Sequence, residues 1–370
     1  ILAYVEARGE YLETLAGMEE KLGGSAEESE RLRKLYELAE AVGIQTLRIE
    51  APEYRSLPAI LAPELRRALL RLSRNERAAA LARRALSGLA GFVGALKVKY
   101  QDLEVGIDFD PEPGLADNGD LELDLQALLE AAAEAAKEAD TALAIFIDEL
   151  QYVPEDELAA LITALHRLAQ RRLPVVLVGA GLPQLRGQMG NAKSYAERLF
   201  DFREIGALPP EHARYAIEKP ALDEGVSFTE EAVTRIVEAT KGYPYFLQEW
   251  GKHAWDAAAD SPIDVDDVKA GAITATAELD ASFFRVRFDR LTPSEKRYLR
   301  AMAELGPGPH RSGHIAEELK KKVTSIAPIR SQLIGKGMIF SPEHGDTAFT
   351  VPLFDEFMRR VMPGEEWREE

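Results

Sequence analysis

The chain has 370 residues, room for two or three domains with substantial cores. Its 46% apolar and 29% charged residues are ordinary for a folded protein, and the lack of cysteine excludes disulfides, thiol catalysis and Cys-ligated zinc. A net charge of −18 argues against the whole chain acting as an unselective polyanion binder.

Residues 1–22 read as one amphipathic helix, with Leu2, Val5, Tyr11, Leu12, Leu15, Met18 and Leu22 roughly on one side. Acids stand where a signal peptide would carry its apolar core, and no apolar run reaches the ~18 residues of a membrane span. A cytoplasmic, non-membrane protein is the expectation. Gly23-Gly24-Ser25 breaks the first helix, and Ser25 can cap the next, which opens in acids and stops at Gly43. Ile44 to Ala51 alternates as a half-buried strand does. Residues 58–96 are helical and rich in Ala, Leu and Arg. Lys97 to Phe109 reads as a β-hairpin, and a Pro/Gly/Asp loop follows at 111–120. A helix from about Leu123 to Ala139 then leads into Thr141-Ala-Leu-Ala-Ile-Phe-Ile-Asp-Glu149.

That segment is the most telling in the chain. Its apolar run predicts a central strand buried on both faces, so Asp148 and Glu149 must sit at the strand's C-terminal tip. In an open α/β sheet the crevice outside the strand ends is where ligands bind. Paired acids there suit magnesium-nucleotide chemistry, one holding the metal's water shell and the next polarising an attacking water. This is the Walker B pattern. A helix from about Glu155 to Arg172 and a second buried strand, Pro174-Val-Val-Leu-Val-Gly179, complete a parallel crossover unit. From Pro209 to about Ala277 the chain reads as helix, punctuated by Gly242-Tyr243-Pro244.

Beyond Leu291 the rhythm changes. Between Leu291 and Pro363 stand eleven Lys and Arg against eight Asp and Glu, a basic module on an acidic body. Thr292 or Ser294 caps one helix, Ser312 to Lys320 forms a second, and Thr324 or Ser325 caps a third with Pro328 in its first turn. Two strands around Pro342–Asp346 then make a hairpin. Three helices and a two-stranded wing predict a winged helix-turn-helix. On DNA, Lys321, Lys322, Thr324, Ser325, Arg330 and Gln332 would supply phosphate and base-edge contacts, with His344 at the wing tip. The same fold also serves to dock proteins, and the residues leave both uses open.

This order of parts resembles two related groups of P-loop ATPases: the replication-initiator branch of the AAA+ proteins and the STAND signalling ATPases. The resemblance covers roughly residues 27–363 and rests on Ile147-Asp-Glu-Leu-Gln-Tyr152, Lys241-Gly-Tyr-Pro-Tyr-Phe-Leu-Gln248 and the run ending Phe349-Thr-Val-Pro-Leu-Phe354. It implies an α/β parallel-sheet P-loop core at 1–206, with a helical and hairpin insertion at 58–120. A helical lid at 207–285 and the winged helix at 291–363 complete it. It further implies ATP and Mg²⁺ as cofactors, with Asp148 holding the Mg²⁺ water shell and Glu149 orienting the hydrolytic water. Arg198 would sense the γ-phosphate, Gly23, Gly24 and Ser25 would stand at the phosphate loop, and Gly242, Tyr243 and Pro244 would set the lid against the base. The implied activity is a nucleotide-dependent switch that repositions the winged helix on double-stranded DNA or on a protein partner, which can be a second copy in a homo-oligomer. In a STAND protein the winged helix would pack on its own core instead.

Two departures support another reading. The phosphate-loop position holds Lys21-Leu-Gly-Gly-Ser-Ala-Glu-Glu28, without Gly-Lys-Ser/Thr, so the β- and γ-phosphates lose their lysine and meet acids. The strand 174–178 runs into Gly179-Ala-Gly-Leu-Pro183 without Asn, Thr or Ser, and Gln184 is the nearest substitute for a sensor. The alternative is therefore a nucleotide-free pseudo-ATPase serving as a DNA- or protein-binding scaffold.

Overall fold

The structure, a computed structural model, describes residues 2–6, 28–103, 106, 108–343 and 345–368. Among these, the chain divides into two compact units between Ile205 and Gly206.

The first unit is built on a five-stranded sheet. Its strands are β1 (Leu2–Glu6), β2 (Gln45–Glu50), β3 (Leu143–Asp148), β4 (Val175–Ala180) and β5 (Asp201–Arg203), in the order β2-β3-β4-β1-β5. β2, β3 and β4 run parallel, with Gln45 opposite Leu143 and Leu143 opposite Val175. Every residue of β4 and all but the last of β3 are buried, as their continuous apolar runs predict.

The two faces of the sheet carry different helices. Ala144, Phe146, Val176 and Val178 pack with Leu35 and Ala39 of α1 (Glu28–Ala41). Ile145, Ile147 and Leu177 point the other way, into a larger core. That core is made with α2 (Leu57–Leu72), α3 (Ala79–Leu96), α4 (Leu121–Glu138) and α5 (Glu155–Gln170). At about 1.5–3 kcal/mol for each fully buried aliphatic side chain, these two interfaces are the main stabilising term of the unit. The start of α2 is fixed from a distance: buried Glu157 of α5 accepts the Leu57 N–H at 2.6 Å, and Asp102 accepts the Ser56 N–H at 2.8 Å. α3 is long and apolar enough to cross a membrane by length and composition, yet Ala82, Ala85, Leu86, Leu89, Phe92 and Leu96 are buried in this core.

Three expectations are corrected here. Leu2–Glu6 is a strand rather than the start of a helix, because β4 and β5 both offer it backbone partners; residues 7–22 lie outside the described residues. The sheet is not wholly parallel, since β1 is antiparallel to both neighbours. In place of the expected hairpin at 97–109, residues 97–103 form a series of turns, and residues 104, 105 and 107 lie outside the described residues. Lys97 caps α3, the Tyr100 N–H bonds Leu96 O at 2.9 Å, and the Leu103 N–H bonds Tyr100 O at 3.1 Å. Leu96, Tyr100 and Leu103 are all buried in the core, so helical spacing rather than strand alternation governs the segment.

A short helical stretch, α6 (Leu185–Ala192) and α7 (Ala196–Leu199), connects β4 to β5.

The second unit begins with four helices, α8 (Pro210–Asp223), α9 (Glu230–Thr240), α10 (Pro244–Ala257) and α11 (Val265–Glu278). Thr229 caps α9 by accepting the Ala232 N–H, and Asp264 and Asp267 form a capping box on α11. A π-helical segment, Leu279–Phe284, carries α11 into α12 (Arg285–Asp289).

Next come α13 (Pro293–Glu304), β6 (His310–Arg311), α14 (Ser312–Glu318) and α15 (Val323–Gly335). The strands β7 (Ile339–Phe340) and β8 (Asp346–Phe349) and the helix α16 (Phe354–Val361) follow. β8 is central to a small antiparallel sheet, pairing with β6 and β7. Thr292 and Glu295 close a capping box on α13, with Pro293 in its first turn. α15 starts earlier than the sequence suggested: Lys322 is its cap residue, and the Ser325 hydroxyl donates back to the Lys322 carbonyl at 2.7 Å. Pro328 consequently lies inside the helix and not in its first turn. Phe246, Phe284, Phe354 and Phe357 join α10, the π segment and α16 in one aromatic core.

Candidate functional site

The parallel register brings the ends of β2 and β3 together, with Glu50 opposite Asp148. Beyond them the chain turns sharply. Glu149 adopts the left-handed conformation, φ 54 and ψ 34, which costs a residue with a Cβ on the order of 1–2 kcal/mol. Its backbone N–H bonds the Asp148 carboxylate at 2.9 Å, so the two acids are locked into one turn.

Gln151 organises this edge. It is 7% exposed; its carboxamide N–H donates to the Glu149 carboxylate, and its carboxamide oxygen accepts the Leu182 N–H at 3.1 Å. The side chain therefore ties the acid beyond β3 to the loop beyond β4. Gly181 leaves room for it, since a Cβ there would lie 2.6 Å from the Gln151 oxygen. Gln188 of α6 donates to the Gln151 carbonyl at 3.4 Å. Burial, then the negative charges of Glu149 and Glu53, push the Tyr152 phenol above its ordinary pKa, so its hydroxyl remains protonated beside the acids. Glu50, Glu53, Asp148 and Glu149 give this edge carboxylate oxygens of the kind a hard divalent cation takes. Gln151 and Tyr152 were not singled out from sequence; both lie in the Asp148–Tyr152 run that carried the resemblance.

The other expected site residues fall elsewhere. Gly23, Gly24 and Ser25 lie outside the described residues. Arg198 is exposed on the four-residue α7. Gln184 precedes α6, and its side-chain oxygen is buried without a hydrogen-bond partner among the described residues. In the second unit, Gly242 has φ +70 and its carbonyl accepts the Leu208 N–H at 2.9 Å; a Cβ there would lie 2.7 Å from Leu208 O. Tyr243 precedes α10, Pro244 is its first residue, and the Tyr243 ring packs on Phe246. This turn therefore demands glycine on steric grounds alone.

On α15, Thr324, Ser325 and Gln332 are exposed, as are Lys321 and Lys322 at its start. Arg330 is differently employed. Its guanidinium donates to the Thr347 hydroxyl, the Ser341 hydroxyl and the Asp346 carbonyl, each at 2.8 Å. It grips the β7–β8 hairpin. His344 lies outside the described residues.

Residues 281–358 match a domain of unknown function (DUF8462). No curated protein matches the chain in sequence. Among solved structures, the Walker-type ATPase PABY2304 of Pyrococcus abyssi is similar over 96% of this chain and 98% of its own, at 14% identity and a TM-score of 0.56. The Aeropyrum pernix ORC1 protein in complex with DNA covers 90% and 82% at 15% identity, with a TM-score of 0.38. The RuvB Holliday junction branch migration motor of Thermotoga maritima covers 68% and 85% at 16% identity, with a TM-score of 0.33. The likeness to the Pyrococcus protein extends over nearly all of both chains, so the two share a fold: a mixed α/β arrangement with three parallel strands and many helices.

Proposed function

We propose that the protein is an ATP-binding ATPase of the AAA+/STAND kind, a cytoplasmic switch in which nucleotide occupancy governs how a C-terminal winged helix engages double-stranded DNA or a protein partner. The placement of Asp148 at the end of β3 and of Glu149 just beyond it, in a fold similar over nearly its whole length to a Walker-type ATPase, carries this reading. The carboxylates at this edge fit Mg²⁺: Asp148 would hold it through water, and Glu149 would orient the attacking water. A bound Mg²⁺ would supply charge neutralisation for phosphoryl transfer. Gln151 fixes the direction of the Glu149 carboxylate, and Gly23, Gly24 and Ser25 would meet the phosphates. Arg198 would supply a positive charge to the γ-phosphate. Gly242, Tyr243 and Pro244 would form the turn that reads the base.

The arrangement of α13, α14, α15 and the β6–β8–β7 sheet supports a winged helix in which α15 is the reading helix. A second reading, the nucleotide-free scaffold, has its own support. Leu2 lies opposite Ala180 and Glu6 opposite Val176, so the antiparallel β1 ends on the edge away from Asp148. A phosphate loop acts directly after a strand that ends beside the Walker B acids.

Calorimetric titration of the protein with ATP and Mg²⁺ separates the two. The ATPase reading expects saturable, Mg²⁺-dependent binding, with phosphate release abolished in Glu149→Gln. Absence of binding at millimolar nucleotide would leave the scaffold.

A further inference from the structure

Within the second unit, three potential ligands converge on one point, far along the sequence from the acids of β3. Glu249 and His253 are four residues apart on α10 and so share a helix face. Glu278 is the last residue of α11. His253 Nε2 lies 3.2 Å from Glu278 Oε2 and 3.7 Å from Glu249 Oε2, and one ligand atom from each residue falls within 4.8 Å of the others. We propose that Glu249, His253 and Glu278 bind one divalent first-row transition ion, of the Zn²⁺ class, pinning α10 to α11.

Four observations support this. Around a tetrahedral ion with bonds of about 2.1 Å, neighbouring ligand atoms stand about 3.4 Å apart, and the two observed separations bracket that value. The donor set is one imidazole and two carboxylates, which neutralises a divalent charge. The nitrogen ligand favours Zn²⁺ or its neighbours over Mg²⁺ and Ca²⁺. A single imidazole proton can serve one carboxylate, whereas a cation serves both. The backbone is also held in place: Gly271 of α11 packs directly against the His253 carbonyl, and a Cβ there would overlap it. Finally, the helix changes to π winding immediately after Glu278, a geometry that recurs at functional sites.

The site is graded in exposure. The His253 side chain is 7% exposed, Glu249 22% and Glu278 52%, so an ion can enter from the Glu278 side without opening the core. The inference is independent of nucleotide chemistry, since all three ligands belong to the second unit.

The test is titration of chelator-treated full-length protein with Zn²⁺, followed by calorimetry and by thermal unfolding. One equivalent is expected to bind and to raise the melting temperature, as any ligand selective for the folded state does. Glu278→Gln, at the exposed ligand, should fold normally, weaken binding by at least about tenfold and lose the thermal shift. His253→Ala should lose both but is less diagnostic, because the residue is buried. Asp148→Asn with Glu149→Gln should leave the Zn²⁺ isotherm unchanged. Absence of one-equivalent binding, wild-type affinity in Glu278→Gln, or loss of the site in the Asp148/Glu149 variant would each overturn the proposal.

Discussion

Gln151 donates to the Glu149 carboxylate while accepting the Leu182 N–H at 3.1 Å, so one buried carboxamide joins the two loops at the acid edge of the sheet. Removing it leaves a backbone donor without its partner and frees a carboxylate held on a strained turn. Gln151→Ala is expected to lower stability by about 1–3 kcal/mol in urea unfolding. A loss below about 0.5 kcal/mol would mean that the loops hold their geometry without it.

Glu149 itself is held at a stability cost. It combines a left-handed backbone with a negative charge close enough to raise the Tyr152 phenol. Glu149→Gln keeps an oxygen able to accept from Gln151 but removes that charge. Spectrophotometric titration of Tyr152, isolated by comparison with Tyr152→Phe, should move down toward the ordinary tyrosine value in this variant. Unfolding free energy should stay equal or rise by a few tenths to about 1 kcal/mol. An unmoved Tyr152 titration would show that burial alone, the larger cause, sets its pKa.

Much of this arrangement was legible in the sequence, for identifiable reasons. The strands ending at Asp148 and Ala180 announced themselves because burial on both faces forces a continuous apolar run. Thr292 or Ser294 announced α13 because a cap is a local signal, and the structure places the cap at Thr292, boxed with Glu295. What escaped depends on partners distant in sequence. The direction of Leu2–Glu6 is decided by β4 and β5, nearly two hundred residues later. The turns after Leu96 follow from the core that buries Tyr100 and Leu103. The bonds by which Arg330 holds the hairpin depend on Thr347 and Asp346, beyond the helix that carries it. The Glu249, His253 and Glu278 cluster escaped as well, because Glu278 comes from the end of another helix.

Two buried glutamates should respond to pH in opposite directions. Glu157 is 4% exposed, and burial raises its pKa despite the hydrogen bond from the Leu57 N–H. The folded state therefore holds that proton above the ordinary carboxylate value. Its contribution is greatest below the unfolded pKa of about 4.3 and declines as pH rises through the folded value. Glu157→Gln, whose amide oxygen still accepts from Leu57, should stabilise the protein at pH 7 relative to wild type and lose that advantage near pH 4. Equal differences at both pH values in denaturant titrations would refute the assignment.

Glu295 behaves conversely. Burial pushes its pKa up, but Lys336 at 2.7 Å and the Thr292 N–H at 2.7 Å outweigh this and hold it below the ordinary value. The stabilisation is present above the unfolded pKa and lost as pH falls through the folded one. Glu295→Gln should cost about 1–3 kcal/mol at pH 7. The cost should shrink on acidification below about pH 4. A cost that persists unchanged at low pH would assign the effect to packing rather than charge.

The basic groups around α15 separate into two kinds, and salt dependence should distinguish them. Lys321 and Lys322 are exposed at the start of the helix, whereas Arg330 spends its guanidinium on Thr347, Ser341 and Asp346. If the module binds DNA, Lys321→Ala with Lys322→Ala should weaken affinity and reduce the slope of log affinity against log salt by roughly 2, about one unit for each phosphate no longer neutralised. The same pair of substitutions should leave the unfolding midpoint nearly unchanged. Arg330→Ala should do the reverse in the first instance, lowering stability by about 1–3 kcal/mol because the hairpin loses its hydrogen bonds. A salt slope that falls by a full unit in Arg330→Ala, with stability intact, would assign this residue to the DNA-facing surface instead. Absence of any DNA binding at low salt would leave α15 as a protein-docking helix.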